Sequence, residues 1–283
     1  TITENTASKY GGGVYITGSA TTVTMESCTI TENTASWSGG GVYIKSSGTI
    51  TIESCTITEN TAGWSGGGFY IDSATVTMES CAITDNNGGS GGGIFLANSA
   101  TLMVESCTIS SNTARNGGGF TIIHTATVTM ESCTVSSNTA SQGDGGSIYI
   151  QSSATLIMIS CTISSNTASK NGGGLYITNY RVRSTATVMN LVGCKFFNNS
   201  ASIRDADIYH PSASTINFYS LCPRDSFYAG TGSLDCTDCD GAKDLSGTSS
   251  CITCPTSTPF SCCGATSCSA SESICTATEL EIC

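Results

Sequence analysis

Apolar and polar residues alternate along this chain in runs only three to five residues long, and the same runs keep returning. In Val14-Tyr15-Ile16 the period of two turns Val14 and Ile16 to one side and Tyr15 to the other. In Thr22 to Met25, Val23 and Met25 share a side opposite Thr22 and Thr24. In Cys28 to Thr31, Cys28 and Ile30 lie opposite Thr29 and Thr31. Glu26-Ser27 breaks the parity between the second and third runs and predicts a corner. The Asn33 region and Gly11 to Gly13 predict two more.

This unit repeats along the chain, with glycine corners beginning near Gly11, Gly39, Gly66, Gly91, Gly117, Gly145 and Gly172 and a degraded version, DADIYH, at Asp205 to His210. Cys28, Cys55, Cys81, Cys107, Cys133, Cys161 and Cys194 mark the period, at intervals of 26 or 27 residues, then 28, then 33. The last interval carries an insertion around Asn179 to Ser184. No stripe of period 3.6 runs through any unit, so helices are not predicted. Three strands and three corners per repeat make one coil of a parallel β-helix, with successive coils stacked roughly 4.8 Å apart. A single coil exposes its apolar face, and stacking lays Val, Ile and Met into continuous columns. Asn33, Asn60, Asn86, Asn112, Asn138 and Asn166 recur at one corner, where stacked amides would satisfy turn backbone groups, and small Ala35, Ala62, Ala114, Ala140 and Ala168 follow them.

The GGG-aliphatic corner and the aliphatic-x-x-Asn pattern resemble the GGA[ILV] and FxxN repeats of chlamydial polymorphic outer-membrane proteins, and Phe196 with Asn199 matches FxxN literally. The resemblance implies a surface-exposed right-handed β-helix with adhesive roles. The expected fold is therefore all-β: a right-handed parallel β-helix of about eight three-strand coils over residues 1–221, plus a small disulfide-rich module over 222–283.

That module begins where the repeat stops. Cys222, Cys236, Cys239, Cys251, Cys254, Cys262, Cys263, Cys268, Cys275 and Cys283 crowd a loop-rich segment. The first five resemble cysteine-rich modules of the ephrin-receptor and TNF-receptor type. Ten cysteines permit five bridges of unspecified pairing, and disulfides are preferred over a four-thiolate zinc site. Cysteine usage on this scale points to an extracellular or cell-surface location.

Repetition turns single residues into columns. The coil cysteines are expected as buried thiols acting as small hydrophobes, with inter-coil disulfides as the alternative. Glu26, Glu53, Glu79, Glu105 and Glu131 form an acidic column, read as solvated corners or as weak Ca²⁺ ligands; no EF-hand pattern is present. Tyr15, Tyr43, Tyr70, Phe95, Tyr149, Tyr176 and Tyr209 share one outward position, which Thr121 interrupts. Tyr10, Trp37 and Trp64 precede successive glycine corners and, on turns, are the candidates for glycan or subunit contact. Aligned Thr-x-Thr pairs resemble the flat faces of β-helical antifreeze proteins, but the array decays to Ser. Asn198-Asn199-Ser200 is the N-glycosylation sequon, with Asn198 the acceptor.

The chemistry-bearing residues are sparse. No catalytic or cofactor-binding residue is assigned, because His124 and His210 lack carboxylate partners in their own coils and Asp205 with Asp207 reads as an end cap. The net charge of −11 argues against nucleic acid, and no apolar run approaches a membrane span. Charge divides along the chain: −7 over residues 1–140, +3 over 141–224 and −7 over 225–283. An opening that starts in mid-repeat, without Met or signal peptide, reads as a processed or partial product. With unpaired strands at that end, the charge division suits head-to-tail self-association, for which Arg181 and Arg183 on the inserted loop are the chosen interface residues. The expected function is a secreted structural building block of a filament, appendage or matrix, bearing glycans. A glycan-binding adhesin is the first rival, and a carbohydrate-active enzyme or an ice-binding protein the others.

Overall fold

The computed structural model describes residues 1–19, 22–178 and 188–209, together with the backbone of strands Thr215–Tyr219, Ser226–Tyr228 and Cys236–Asp238. It is a right-handed parallel β-solenoid without helices in these residues. Four sheets run its length, each of eight strands, and every strand pairs in parallel with the equivalent strand one repeat away. The cysteine-marked segments therefore stack as layers: Ile30 pairs with Ile57, Ile83 with Ile109, and Val135 with Ile163.

The three predicted strands are present in each of the well-formed coils, for example Val42–Ser46, Thr49–Glu53 and Thr56–Thr58. A fourth, which alternation did not reveal, follows the asparagine corner: Thr34–Ala35 in one coil and Thr61–Ser65 in the next. It is usually two residues long, too short to show a period.

The core is one continuous column of apolar side chains, among them Ile30, Ile44, Ile50, Ile52, Ile57, Phe69, Val76 and Ile83, which have no solvent exposure. The corners are sharp because single residues take the left-handed conformation. Ser27, Ser54, Ser80, Ser106, Ser132 and Ser160 do so after the glutamate column, with φ of 50–54°, and Glu32, Glu59 and Asp85 do so before the asparagines. Each such residue costs roughly 1 kcal/mol or more against the right-handed form. The layer contacts offset that cost, since Ser27 N–H donates to Glu53 O at 2.9 Å and Glu32 N–H to Thr58 O at 3.2 Å. At the glycine corner the demand is stricter. Gly39 has φ 67°, and a Cβ there would lie 2.8 Å from the Cα and Cβ of Tyr43. Only the missing side chain lets the tyrosine ring sit across the corner.

In the C-terminal segment, Ser226–Tyr228 and Cys236–Asp238 pair antiparallel, so the parallel stacking has ended there. The ten tail cysteines lie outside the described residues, apart from the backbone of Cys236. Arg181, Arg183 and His210 also lie outside them.

Candidate functional site

Two internal ladders, one polar cluster across coils and two external aromatic strips carry the side chains of chemical interest. The asparagine corner forms an unbroken amide ladder from Asn5 through Asn33, Asn60, Asn86, Asn112, Asn138 and Asn166 to Asn199. In each layer the backbone N–H and the Nδ2 group both donate to the Oδ1 of the next asparagine. Asn86, for instance, gives both bonds to Asn112 at 3.0 Å, while its Nδ2 also donates to Ile57 O one coil back at 2.9 Å. Each amide thus joins three layers. Asp207 closes the ladder, accepting from Asn199 Nδ2 at 2.9 Å through Oδ1, while its buried Oδ2 has no partner. Burial raises the carboxyl above its ordinary value.

The coil cysteines are free thiols, buried except for the half-buried Cys28, and they are not linked between coils. They do more than fill space. Cys55 Sγ accepts the N–H of Cys28 at 3.2 Å and donates towards Glu53 O at 3.2 Å and Met25 O, one coil back, at 3.6 Å. Cys81 repeats the arrangement, accepting from Cys55 N–H at 3.4 Å and reaching Glu79 O and Ile52 O. The thiol column therefore caps its corner as the amide ladder caps the other, with weaker donors and acceptors. Burial pushes Cys55 up to about 11. At Cys107 the hydrogen bond shared with Cys81 and burial both push the thiol up, the same bond pulling Cys81 the other way.

A third polar assembly joins side chains of three successive coils. Asp72 is buried, yet it pairs with Lys45 Nζ at 3.5 Å and accepts from Ser73 Oγ at 2.8 Å and Asn98 Nδ2 at 2.6 Å. Asn98 N–H in turn donates to His124 Nδ1 at 3.3 Å. His124 is thus linked through Asn98 to a carboxylate two coils away, a contact that lies outside its own coil. With Nδ1 used as an acceptor, the neutral ring carries its proton on Nε2. The signal was in register: Lys45 and Asp72 occupy one strand position in adjacent coils.

The acidic column is real as a row, with Glu26, Glu53, Glu79, Glu105 and Glu131 in register along one sheet edge. All but the half-buried Glu53 are exposed. Among the described residues no three His, Cys, Asp or Glu side chains converge as a metal-binding group. Thr29 and Thr31 align with Thr56 and Thr58, but Ala82 interrupts that face, and exposed Met103 interrupts the threonine row of the sheet that contains Thr49–Glu53.

Outside, the tyrosines stack as a ladder. Ring centroids are 5.2 Å apart for Tyr15 and Tyr43, 4.9 Å for Tyr43 and Tyr70, and 5.3 Å for Tyr70 and Phe95, all nearly parallel. After Thr121 the stack resumes with Tyr149, Tyr176 and Tyr209. Trp37 and Trp64 stack separately at 5.3 Å, and Tyr10 touches both strips, meeting Trp37 edge-on at 5.4 Å and Tyr43 at 4.7 Å. Trp64 sits in strand Thr61–Ser65 rather than on the turn expected for it, and is 65% exposed. Asn198 is exposed with φ 55° at its corner, beside the buried ladder residue Asn199.

No helix among the described residues is long and apolar enough to cross a membrane, which leaves β-barrels unaddressed. A family model described as the Chlamydia polymorphic membrane protein repeat matches residues 160–178. No curated protein and no solved structure matches the chain. A second family model, described as the right handed beta helix region, matches residues 1–150, more than half of the sequence. With the parallel register of every coil, that match makes this chain a member of the right-handed β-helix family.

Proposed function

We propose that this chain is a secreted or cell-surface scaffold, a rod whose coils stack head to tail with those of further copies into a filament or matrix and which carries glycan on Asn198. The observation that supports it is the repetition itself. The buried asparagines and the coil thiols hold one layer to the next, with the same partners in coil after coil. The reversal of charge along the chain, acidic over residues 1–140 and basic over 141–224, favours end-to-end contact between copies. A match to a repeat of polymorphic membrane proteins agrees with a surface location. An enzymatic reading finds less support, because His124 Nδ1 is occupied and Asp72 is neutralised by Lys45 and two further donors.

Negative-stain microscopy of the native material tests the proposal. Unbranched fibres whose axial repeat is a multiple of one molecule are expected, and dispersed short rods at high concentration would overturn it. An Asn198→Gln variant that lost no mass on enzymatic deglycosylation, while the native protein did, would locate the glycan.

A second reading has its own observation. The aromatic edge formed by Tyr10, Trp37, Trp64 and Tyr15 is continuous over three coils, and its outermost rings, Trp64 at 65% and Tyr15 at 54% exposed, present flat faces or edges to solvent. Such an edge suits an adhesin that stacks sugar rings.

A further inference from the structure

The tryptophan pair belongs to a column with an uneven occupancy. Backbone pairing places Lys9, Trp37 and Trp64 at successive layers of one position, since Trp37 N–H donates to Lys9 O and Trp64 N–H to Trp37 O. In the next layer Gly63 and Trp64 together face a single residue, Gly89, because the register slips between Ala62 and Ser65. One layer further on, Asn87, Gly88 and Ser90 pair with Thr113, Ala114 and Asn116, which sets Gly89 against Arg115. The column therefore reads lysine, indole, indole, nothing, guanidinium.

The first half of that series is closed. Lys9 Nζ lies 5.2 Å from the Trp37 ring centroid, and Trp37 covers one face of Trp64 at 5.3 Å with 6° between the planes. The second half is open. At Gly89 the layer supplies backbone alone, and even a Cβ there would lie 2.4 Å from Trp64 O. Register thus places exposed Arg115 two layers beyond Trp64, across a layer that has no side chain at this position. Two layers separate them, roughly 9.5 Å from the strand spacing, which is the height of one ring in contact on both sides. Arg115 forms no ion pair with the described carboxylates. Residues 1–140 hold just three cations, Lys9, Lys45 and Arg115, and two of these flank the tryptophan stack. Ser90 Oγ, bonded to Thr121 Oγ1 at 3.0 Å, lies beside the gap in a layer where the tyrosine ladder is also about to break.

We infer that the gap at Gly89 is a subsite for an anionic pyranose, with the apolar face of the ring on Trp64 and its carboxylate or sulfate on Arg115. An indole face takes the C–H face of a sugar, and a guanidinium takes an oxyanion through paired N–H donors. A neutral ring would leave Arg115 without a counter-charge, and a free anion would leave the indole bare. The inference rests on the second reading above, contact through the aromatic edge, and names the sugar class for that edge.

Trp37 and Trp64 are the chain's two tryptophans, so intrinsic fluorescence reports on this column directly. The full chain, in about 0.15 M salt to screen its net negative charge, is titrated with a hyaluronan hexasaccharide, a heparin hexasaccharide and neutral chitohexaose. The carboxylated or the sulfated oligosaccharide should change the tryptophan emission and bind in preference to the neutral one. Trp64→Ala and Arg115→Gln, both at exposed positions, should each weaken that binding by about tenfold or more. Far-ultraviolet circular dichroism checks that both variants keep the solenoid. Equal binding of neutral and anionic sugars, lost in Trp64→Ala and indifferent to Arg115→Gln, would overturn the anionic subsite while leaving the aromatic edge as a sugar-binding face. Binding indifferent to both substitutions, or no response to any of the three sugars, would overturn it as well. Sedimentation showing a dimer that Trp64→Ala abolishes would overturn it by assigning the gap to a second copy of the chain.

Discussion

The buried polar residues of this protein differ in how well each is satisfied, and that difference sets what substitution does. Asn112 is satisfied on every side: Oδ1 accepts from Asn86 N–H and Nδ2, and Nδ2 donates to Ile83 O and Asn138 Oδ1. Asn112→Ala leaves the buried Asn86 N–H unpaired and breaks the amide ladder, and should cost about 2–4 kcal/mol in urea unfolding. Cys107→Ala removes the acceptor for Cys81 N–H and a donor to Glu105 O, but a thiol bonds weakly, so about 1–2 kcal/mol is expected by the same measurement. A thiol column acting only as small hydrophobic filler would lose less than 1 kcal/mol. Asp207 is the contrary case, with one carboxylate oxygen buried and unpaired. Because its folded-state carboxyl is raised, its contribution is fully present below the ordinary aspartate range and is lost as pH rises through the raised value. Asp207→Asn should therefore raise the melting temperature at pH 7 and flatten the pH dependence across that window. A variant no more stable than the native chain at pH 7 would contradict the assignment.

At the scale of the element, the corner decides more than the strand. The strand patterns Val-Tyr-Ile, Thr-Val-Thr-Met and Cys-Thr-Ile-Thr were legible because alternation reports burial directly, and Ile16, Met25 and Ile30 are buried as that alternation requires. The two-residue strand of Thr34–Ala35 was not legible, because two residues hold no period. Nor was the hydrogen bonding of the cysteines, since a buried thiol and a bonded thiol read alike in sequence. Gly39→Ala tests the corner. Its Cβ would meet Val42 O at 2.7 Å and the Tyr43 backbone at 2.8 Å, with φ in the left-handed region. It should destabilise by about 2 kcal/mol or more and shift the near-ultraviolet circular dichroism of the Tyr43 stack. Tyr43 is only 5% exposed, and burial pushes its neighbour Tyr70 up to about 12. Tyr43 and Tyr70, both raised by burial, should accordingly stay protonated through pH 10 and ionise late, losing stability as pH rises from about 10 towards 12. Phenolate absorbance in the native protein that rose entirely near pH 10 would refute this.

For the whole molecule, stability is a sum over layers and their contacts. Thr75 pairs with Thr101, and Ala74 O accepts from Thr101 N–H, so residues 75–100 form one complete period. Deleting them rejoins equivalent positions and should leave a folded, shorter solenoid with a lower urea midpoint. Deleting half as many residues puts Ile and Val on the wrong face and should abolish cooperative unfolding. A deletion of 75–100 that failed to fold would show that the coils are not interchangeable. This modularity also explains why polar residues at one strand position, such as Lys45 and Asp72, meet across coils.

The repeat, its strands, the inward columns and the asparagine corner were all written in the chain, because a solenoid uses local contacts of fixed period and each residue's environment recurs with its repeat. The fourth ladder, the thiol caps, the Asp72 cluster and the gap facing Trp64 depended on something alternation does not encode, which is the side chain one layer above or below. A register slip of one residue at Trp64 is invisible along the chain, yet it determines which residue lies opposite the indole, and only the stacked coils fix it.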